Sequence, residues 1–170
     1  SDVFTWSETV TEFDTAPYFA GHMPVVSFNG SDEEADGPDA AYWTRGDGTS
    51  DSPFSTGLWL RLPAVAGTRI VLAKRDLALQ AHEWRLEISG TGKLMLRLTD
   101  ESNGSDARAQ TNNALPEAQW MFVVATYNGA GDTPGARDGI TLYVDGVAAA
   151  STKSGDPHYT AMGDTMSKVM

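Results

Sequence analysis

The chain has 170 residues, a formal net charge of -11 and no cysteine. This length predicts one domain over residues 1–170, and the missing thiols exclude disulfides, a cysteine nucleophile and a cysteine metal site. The acidic charge repels phosphate backbones, so we expect no nucleic-acid partner. No apolar run has the length of a membrane-spanning helix, so we expect no membrane insertion. The acidity fits either plain solubility or cation binding by clustered carboxylates.

Apolar residues recur at every second position, which predicts strands rather than helices. Five such segments follow one another in chain order, at 54–62, 68–74, 82–90, 93–99 and 119–128. The last of them is apolar on both faces, as a central strand of a two-layer protein would be. Turn signals separate the segments, and this arrangement predicts an all-β protein, an antiparallel sandwich or barrel.

The stretch GITLYVDGVAA holds Asp145-Gly146 between two alternating runs, which is the strongest short-range signal of a β-hairpin. A two-residue loop there places Val144 opposite Val147. Both side chains then share a face on which we expect another layer to pack. Gly146 supplies the positive φ that a type I′ turn requires.

The remaining segments are rich in turn residues and are predicted to be loops at the ends of the sandwich. No window shows an amphipathic helix, so single helical turns are expected at most, at 33–41 and 115–118. The predicted loops are 29–39, 45–52, 100–113, 129–139 and 153–164.

Six motifs stand in a familiar order: VSFNGSDE, SPFSTGLWLRL, IVLAKRD, EWRLEISGTGKLMLRLTD, QWMFVVATYNG and GITLYVDGV. Together they resemble the laminin-G-like branch of the concanavalin A-like lectin/glucanase superfamily, over residues 24–152. The resemblance implies a jelly roll, which is an antiparallel sandwich of two curved β-sheets. It also implies a module that binds carbohydrates or proteins, often with calcium, although some related families are glycosidases.

The chain departs from the family pattern at two places. The segment GAGDTPGARD (129–138) is longer than the usual connection and places an acidic, glycine-rich loop at one end of the sandwich. The chain also stops at TMSKVM, about where the family begins a further strand and a closing segment. This end predicts a partial chain, a processed protein, or a sheet whose open C-terminal edge is completed by a neighbouring subunit.

The carboxylate pattern of a glucanase is not present. Such enzymes carry E-x-D-x-x-E or E-x-D-x-E on one strand, whereas here Arg85 stands between Glu83 and Glu87. The Cα atoms of these two glutamates are roughly 13 Å apart on a strand, and retaining or inverting glycosidases need carboxyl groups about 5 Å or under about 10 Å apart. We expect a solvent-facing charge row and a non-catalytic domain, with a glycoside hydrolase as the disfavoured alternative.

Calcium is the one cofactor that the sequence suggests, since no histidine spacing supports zinc. The first acidic loop ranks highest because it has a counterpart in the family's opening motif. Two further candidate loops contain Asp100 to Asp106 and Asp132 to Asp138. The alternative is that these acids are turn residues that face water. The predicted calcium ligands are Asn29, Asp32, Asp36 and Asp39.

A ligand site is predicted at the loops of the sandwich end. Tyr42 and Trp43 lie near a loop and can stack on a sugar ring, and Asp132 and Asp138 belong to the lengthened acidic loop. The primary hypothesis is a recognition module that binds glycan or protein ligands there, with calcium assistance. The alternative is a structural or display domain of a larger assembly, such as a virion or a cell-surface layer. Either role predicts an extracellular or assembly-surface location, although the opening SDVFTWSETV lacks the features of a signal peptide.

Overall fold

The structure is a computed structural model that describes residues 5–6, 13–15, 24–29, 33–64, 66–76 and 81–170. All strand pairs between its named strands are antiparallel. The elements are β1 Thr5–Trp6, β2 Phe13–Thr15, β3 Pro24–Val26, β4 Ala35–Asp36, β5 Phe54–Arg61, β6 Arg69–Asp76, β7 Ala81–Ile88, β8 Leu94–Asp100, β9 Ser105–Thr111, β10 Trp120–Tyr127, α1 Gly135–Asp138, β11 Ile140–Val144, β12 Val147–Ala148 and β13 Ser151–Gly155.

Two sheets form the body of the domain. One has four strands in the order β12-β11-β10-β5, and the other has five in the order β13-β9-β8-β7-β6. Two short ribbons are formed by β1 with β4 and by β2 with β3. This arrangement confirms the predicted antiparallel two-sheet sandwich, and β10 takes the predicted central position between β11 and β5.

The core lies between the two sheets and follows from the period-two alternation of each strand. The five-stranded sheet contributes the leucines and isoleucine of β7 and β8 and the alanines of β9. The four-stranded sheet contributes alternate residues of β10 and β11. Core residues with no exposed surface include Leu86, Ile88, Leu94, Leu96, Leu98, Ala107, Ala109, Met121, Val123, Ile140 and Leu142.

Three strands lie where loops were predicted, and the first of them, β4, lies in the segment 29–39. β9 falls in the segment 100–113, and β13 begins just before the segment 153–164 and runs into it. β9 has the sequence SDARAQT, in which small buried residues alternate with polar ones, so it contains no large apolar side chain. The signal of a strand was therefore the alternation itself rather than hydrophobicity.

The predicted hairpin is confirmed in its register and corrected in its packing. Val144 pairs with Val147, and Asp145 and Gly146 have φ values of 50° and 79°. The Asp145 carboxylate also accepts a hydrogen bond of 2.8 Å from the backbone N–H of Phe122. Val147, however, is 71 % exposed, because β12 is a two-residue strand at the edge of the sheet.

The helical turn lies in a different segment from the two segments that were predicted. Within the described residues the one helix is α1, which lies inside the acidic loop 129–139. The segments 33–41 and 115–118, where single turns were expected, contain no helix.

The last residues of the chain lie along β6. Ala73 and Met170 exchange backbone hydrogen bonds of 2.7 and 2.9 Å, and Val169 pairs on its other side with Gly37. The edge of β6 is therefore occupied by this chain. A neighbouring subunit at the C-terminal edge stays a prediction.

A buried ion pair fastens this segment to the sheet. The ammonium Nζ of Lys74 lies 2.6 Å from Glu83 Oε1 and 3.0 Å from Asp39 Oδ1, and neither Lys74 nor Glu83 has exposed side-chain surface. Glu83 Oε1 also accepts hydrogen bonds of 2.9 Å from the N–H and hydroxyl of Thr165. Desolvation lowers the pKa of Lys74, but its bonds to Glu83 and Asp39 outweigh that effect and raise the pKa above 10.5. The stabilisation is therefore complete below pH 10.5 and is lost as the pH rises through the raised pKa.

Replacing Lys74 with methionine should lower the free energy of unfolding by about 3–5 kcal/mol, because the buried carboxylate of Glu83 loses its cation. The double variant Lys74→Met/Glu83→Leu should recover most of this loss, since no buried charge is then left without a partner. Urea unfolding of the single and double variants measures both values.

The control is Lys168→Met. Lys168 also lies 2.6 Å from an aspartate, Asp36, but its side chain is 57 % exposed, so its loss should be much smaller. Equal losses for the two lysines would contradict the assignment of Lys74 as the anchor.

Candidate functional site

The face of the five-stranded sheet opposite to the core carries a row of arginines. Arg85 on β7 pairs in register with Arg97 on β8, and Arg97 pairs with Arg108 on β9. Arg108 in turn pairs with Ser154 on β13 and donates a hydrogen bond of 3.0 Å to its hydroxyl. Four neighbouring strands therefore place hydrogen-bonding side chains in one line across the sheet. We call these three arginines the arginine row.

Two carboxylates lie between the arginines. Glu87 is 2.8 Å from Arg85 and 3.9 Å from Arg97, and Asp106 is 2.9 Å from Arg97 and 3.1 Å from Arg108. Like charges on adjacent strands destabilise a sheet, and these bridging acids offset that repulsion. The row and its two acids have a net charge of +1, in a chain whose net charge is -11.

The prediction that β7 carries a solvent-facing charge row is wrong for its two glutamates. Glu83 has no exposed surface and Glu87 is 3 % exposed. Lys74 covers Glu83, and the neighbouring arginines cover Glu87. The two glutamates are therefore buried ion-pair partners rather than a solvated ladder.

An open groove of about 310 Å³ lies beside the arginine row, on the β8, β9 and β13 side of the sheet. Its walls combine cationic, amide, hydroxyl and thioether groups. These groups can donate hydrogen bonds to ligand oxygen atoms while the Met95 side chain contacts an apolar surface. The lining residues are Met95, Arg97, Arg108, Gln110, Thr152 and Ser154.

Burial and the neighbouring Arg85 lower the pKa of Arg97. Arginine nonetheless remains protonated at neutral pH, so the row keeps its charge. The Nε atom of Arg97 is buried and has no hydrogen-bond partner within the described part of the chain. The donor capacity of the row therefore exceeds what the protein's own acceptors use.

A second cluster holds the loops at one end of the sandwich. The carboxylate of Asp51 accepts hydrogen bonds from the hydroxyls of Tyr127, at 2.6 Å, and Tyr159, at 2.7 Å, and from the N–H of Met162, at 2.8 Å. The Tyr127 hydroxyl also accepts one from Gly131 at 2.9 Å. The loops 45–52 and 129–138 and the segment 159–162 are joined through this one carboxylate. Burial raises the pKa of Asp51 despite these donors.

A comparison with known protein families identifies the family of this chain. A laminin G family of the concanavalin A-like lectin/glucanases superfamily matches residues 35–166. The chain belongs to this family. No curated protein matches it significantly.

Membership of this family supports, at the level of the superfamily, a function as a module that binds carbohydrates or proteins. Domains of this kind are generally non-catalytic and typically extracellular, and the superfamily also includes glycosidases. None of the helices in the described residues is long and apolar enough to cross a membrane.

Tyr42 and Trp43 have different environments in this laminin-G-like domain. Their ring centroids are 5.2 Å apart, and Tyr42 is 52 % exposed. Trp43 packs against the core, and its carbonyl accepts a hydrogen bond of 3.2 Å from Trp84 Nε1. Of this pair, Tyr42 offers the larger surface to a ligand.

Asp132 and Asp138 are both exposed; Asp132 precedes α1, and Asp138 is the last residue of α1. The N–H of Asp132 donates a hydrogen bond of 2.8 Å to the carbonyl of Thr160, which ties this loop to the segment 159–162. The carboxylate of Asp138 lies 3.7 Å from Arg137. Both carboxylates therefore belong to the end of the sandwich that Asp51 organises.

The predicted calcium ligands are in part engaged with lysines. Asp36 pairs with Lys168 at 2.6 Å and Asp39 with Lys74 at 3.0 Å. Asn29 and Glu33 bind each other through backbone and side chain, and Asp32 lies outside the described residues. No group of three acidic or histidine side chains suited to a metal ion occurs in the part of the chain that the structure describes. Calcium binding stays a prediction.

Replacing Asp51 with alanine should destabilise the domain by roughly 1–3 kcal/mol for each buried donor left without a partner. Tyr159→Phe removes one donor only and should cost less. The control is Tyr143→Phe, because Tyr143 lies on the face of β11 that points away from the core. This variant should have almost the same stability as the wild type. Thermal unfolding followed by circular dichroism compares the three variants.

The pH dependence of the Asp51→Ala effect has a defined sign. Because burial raises the folded-state pKa of Asp51 above 3.8, its stabilisation is largest below pH 3.8 and falls as the pH rises through the raised pKa. The stability difference between the wild type and Asp51→Ala should therefore shrink with rising pH and then become constant. A difference that grows with pH over this range would contradict the assignment.

Proposed function

We propose that this domain is a non-catalytic recognition module whose ligand, a glycan, binds in the groove beside the arginine row. The observation that carries the proposal is the groove itself, which is open and is lined by one apolar and five polar side chains. A mixture of hydrogen-bonding groups and an apolar contact suits a sugar, which has hydroxyl groups on its edges and C–H groups on its faces. The proposed location is extracellular or on the surface of an assembly.

The ion pairs of β7 support a non-catalytic role. A glycosidase needs one carboxyl group to donate a proton and a second to act as base or nucleophile. Here Glu83 is bound to Lys74 and Glu87 to Arg85, at 2.6 and 2.8 Å. Both carboxylates are held in ion pairs and have almost no exposed surface, so neither is placed to reach a substrate.

The sandwich end predicted from the sequence is a second binding surface for a glycan or protein ligand. Its support is that Asp51 holds three segments in one arrangement beside the exposed Asp132. If calcium assists binding there, calcium chloride should raise the melting temperature and a chelator should reverse the rise. No change in either direction would count against calcium.

A display role in a larger assembly is supported by a different face. On the outer side of the four-stranded sheet Trp59 and Phe122 pair in register, with ring centroids 5.4 Å apart, and Trp59 is 42 % exposed. Aromatic surface of this kind is enriched in protein interfaces. Under this hypothesis Phe122→Lys should lower the oligomer fraction measured by analytical ultracentrifugation.

The groove is tested by blocking it. Thr152→Trp places a large ring at the groove wall and should weaken binding of any glycan identified on a glycan array by at least tenfold, which corresponds to about 1.4 kcal/mol. Thr141→Trp is the matched control, because Thr141 lies on the outer side of the other sheet. Binding that survives Thr152→Trp unchanged would move the site away from the groove.

A further inference from the structure

The charges of the arginine row alternate along the sheet and end on a cation. From β7 to β9 the order is Arg85, Glu87, Arg97, Asp106 and Arg108, with each acid between two arginines. The next strand, β13, has the sequence STKSG and contains no acid to continue the series. Arg108, which is 38 % exposed, therefore faces the groove at the end of an alternating row.

The donors at this end are only partly used. Arg108 donates through Nη1 to Asp106 and through Nε to Ser154, and within the described residues no hydrogen bond of its Nη2 group is found. The amide of Gln110 likewise has no side-chain hydrogen bond in that part of the chain, and Thr152 donates to Asn112 at 2.8 Å. None of the six residues that line the groove is acidic.

A carboxylate is the group that this end of the row lacks. The arginine fork matches the two oxygen atoms of a carboxylate. The row already binds two carboxylates of its own, each through single contacts to two arginines. The -11 charge of the whole chain repels anions in general, so an anion is favoured only where arginines are concentrated. The groove beside Arg108 is such a place.

We infer that the groove selects a carboxylate-bearing glycan, such as an oligosaccharide of uronic acids, whose carboxylate completes the charge series next to Arg108. This inference rests on the proposed function and names its ligand class. The sugar carboxylate binds Arg108, the neighbouring hydroxyl groups of the sugar bind Gln110 and Thr152, and one face of the ring contacts Met95.

The experiment uses the wild-type domain and a glycan array that contains neutral, carboxylated and sulfated oligosaccharides. A carboxylated member that binds is then titrated by calorimetry beside its carboxyl-reduced form, which has the same rings without the charge. The carboxylated form should bind at least tenfold more tightly, and its affinity should fall as the salt concentration rises.

Arg108→Gln should remove this preference and lower the affinity at least tenfold. Arg108→Lys keeps the charge without the fork and should restore part of the affinity. Arg137→Gln, a change of the same kind at a partly exposed arginine of α1, should leave binding unchanged. Melting temperatures of all three variants check that each is folded.

The outcomes separate the two proposals. Equal binding of the carboxylated and reduced forms, blocked by Thr152→Trp, would overturn the carboxylate inference and leave the glycan-binding function standing. Binding of sulfated members alone would overturn it in favour of a sulfate ligand. An array on which no glycan binds would overturn both.

Discussion

The register of β7, β8 and β9 determines both faces of the five-stranded sheet. Leu86, Leu96 and Ala109 are paired across the three strands on the inner side. The arginine row is paired on the outer side, and each arginine is next in the sequence to one of these core residues. A slip of one residue in any strand would bury an arginine in the core and expose a core residue, at a cost that no ion pair could offset. The burial that stabilises the sandwich therefore also aligns the arginines.

How far the sequence predicts this structure depends on where each strand buries its side chains. Strands with large inward residues, such as β8 and β10, are evident from hydrophobic alternation, and the Asp145-Gly146 turn fixes a hairpin register from chemistry alone. β9 and β13 contain no large apolar side chain, so hydrophobic alternation does not mark them as strands. Four of the groove's six lining residues belong to these two strands, and for that reason the groove could not be predicted. The arginine row also needs a pairing register between strands distant in sequence, which local patterns do not encode.

The role of an acidic residue is also difficult to predict from the sequence. A loop rich in aspartate resembles a cation site as long as its partners are unknown, and here Asp36 and Asp39 meet lysines that lie far away in sequence. Asp51 is a more informative case, because nothing near it in the sequence marks it. It accepts hydrogen bonds from Tyr127, Tyr159 and Met162, which the fold brings together from two distant segments. Long-range partners therefore decide whether a carboxylate holds the scaffold together or faces a ligand.

The alternation of β9 has a consequence for how such a domain can diversify. Its inner positions are small and completely enclosed, whereas Asp106, Arg108 and Gln110 point away from the core. Substitutions at Arg108 and Gln110 change the chemistry of the groove without altering the volume of the core, so they are expected to have little effect on folding. Selection can therefore act on ligand preference along one side of the strand while the other side conserves the fold. The same separation makes β9 a natural place to randomise when a new binding specificity is sought.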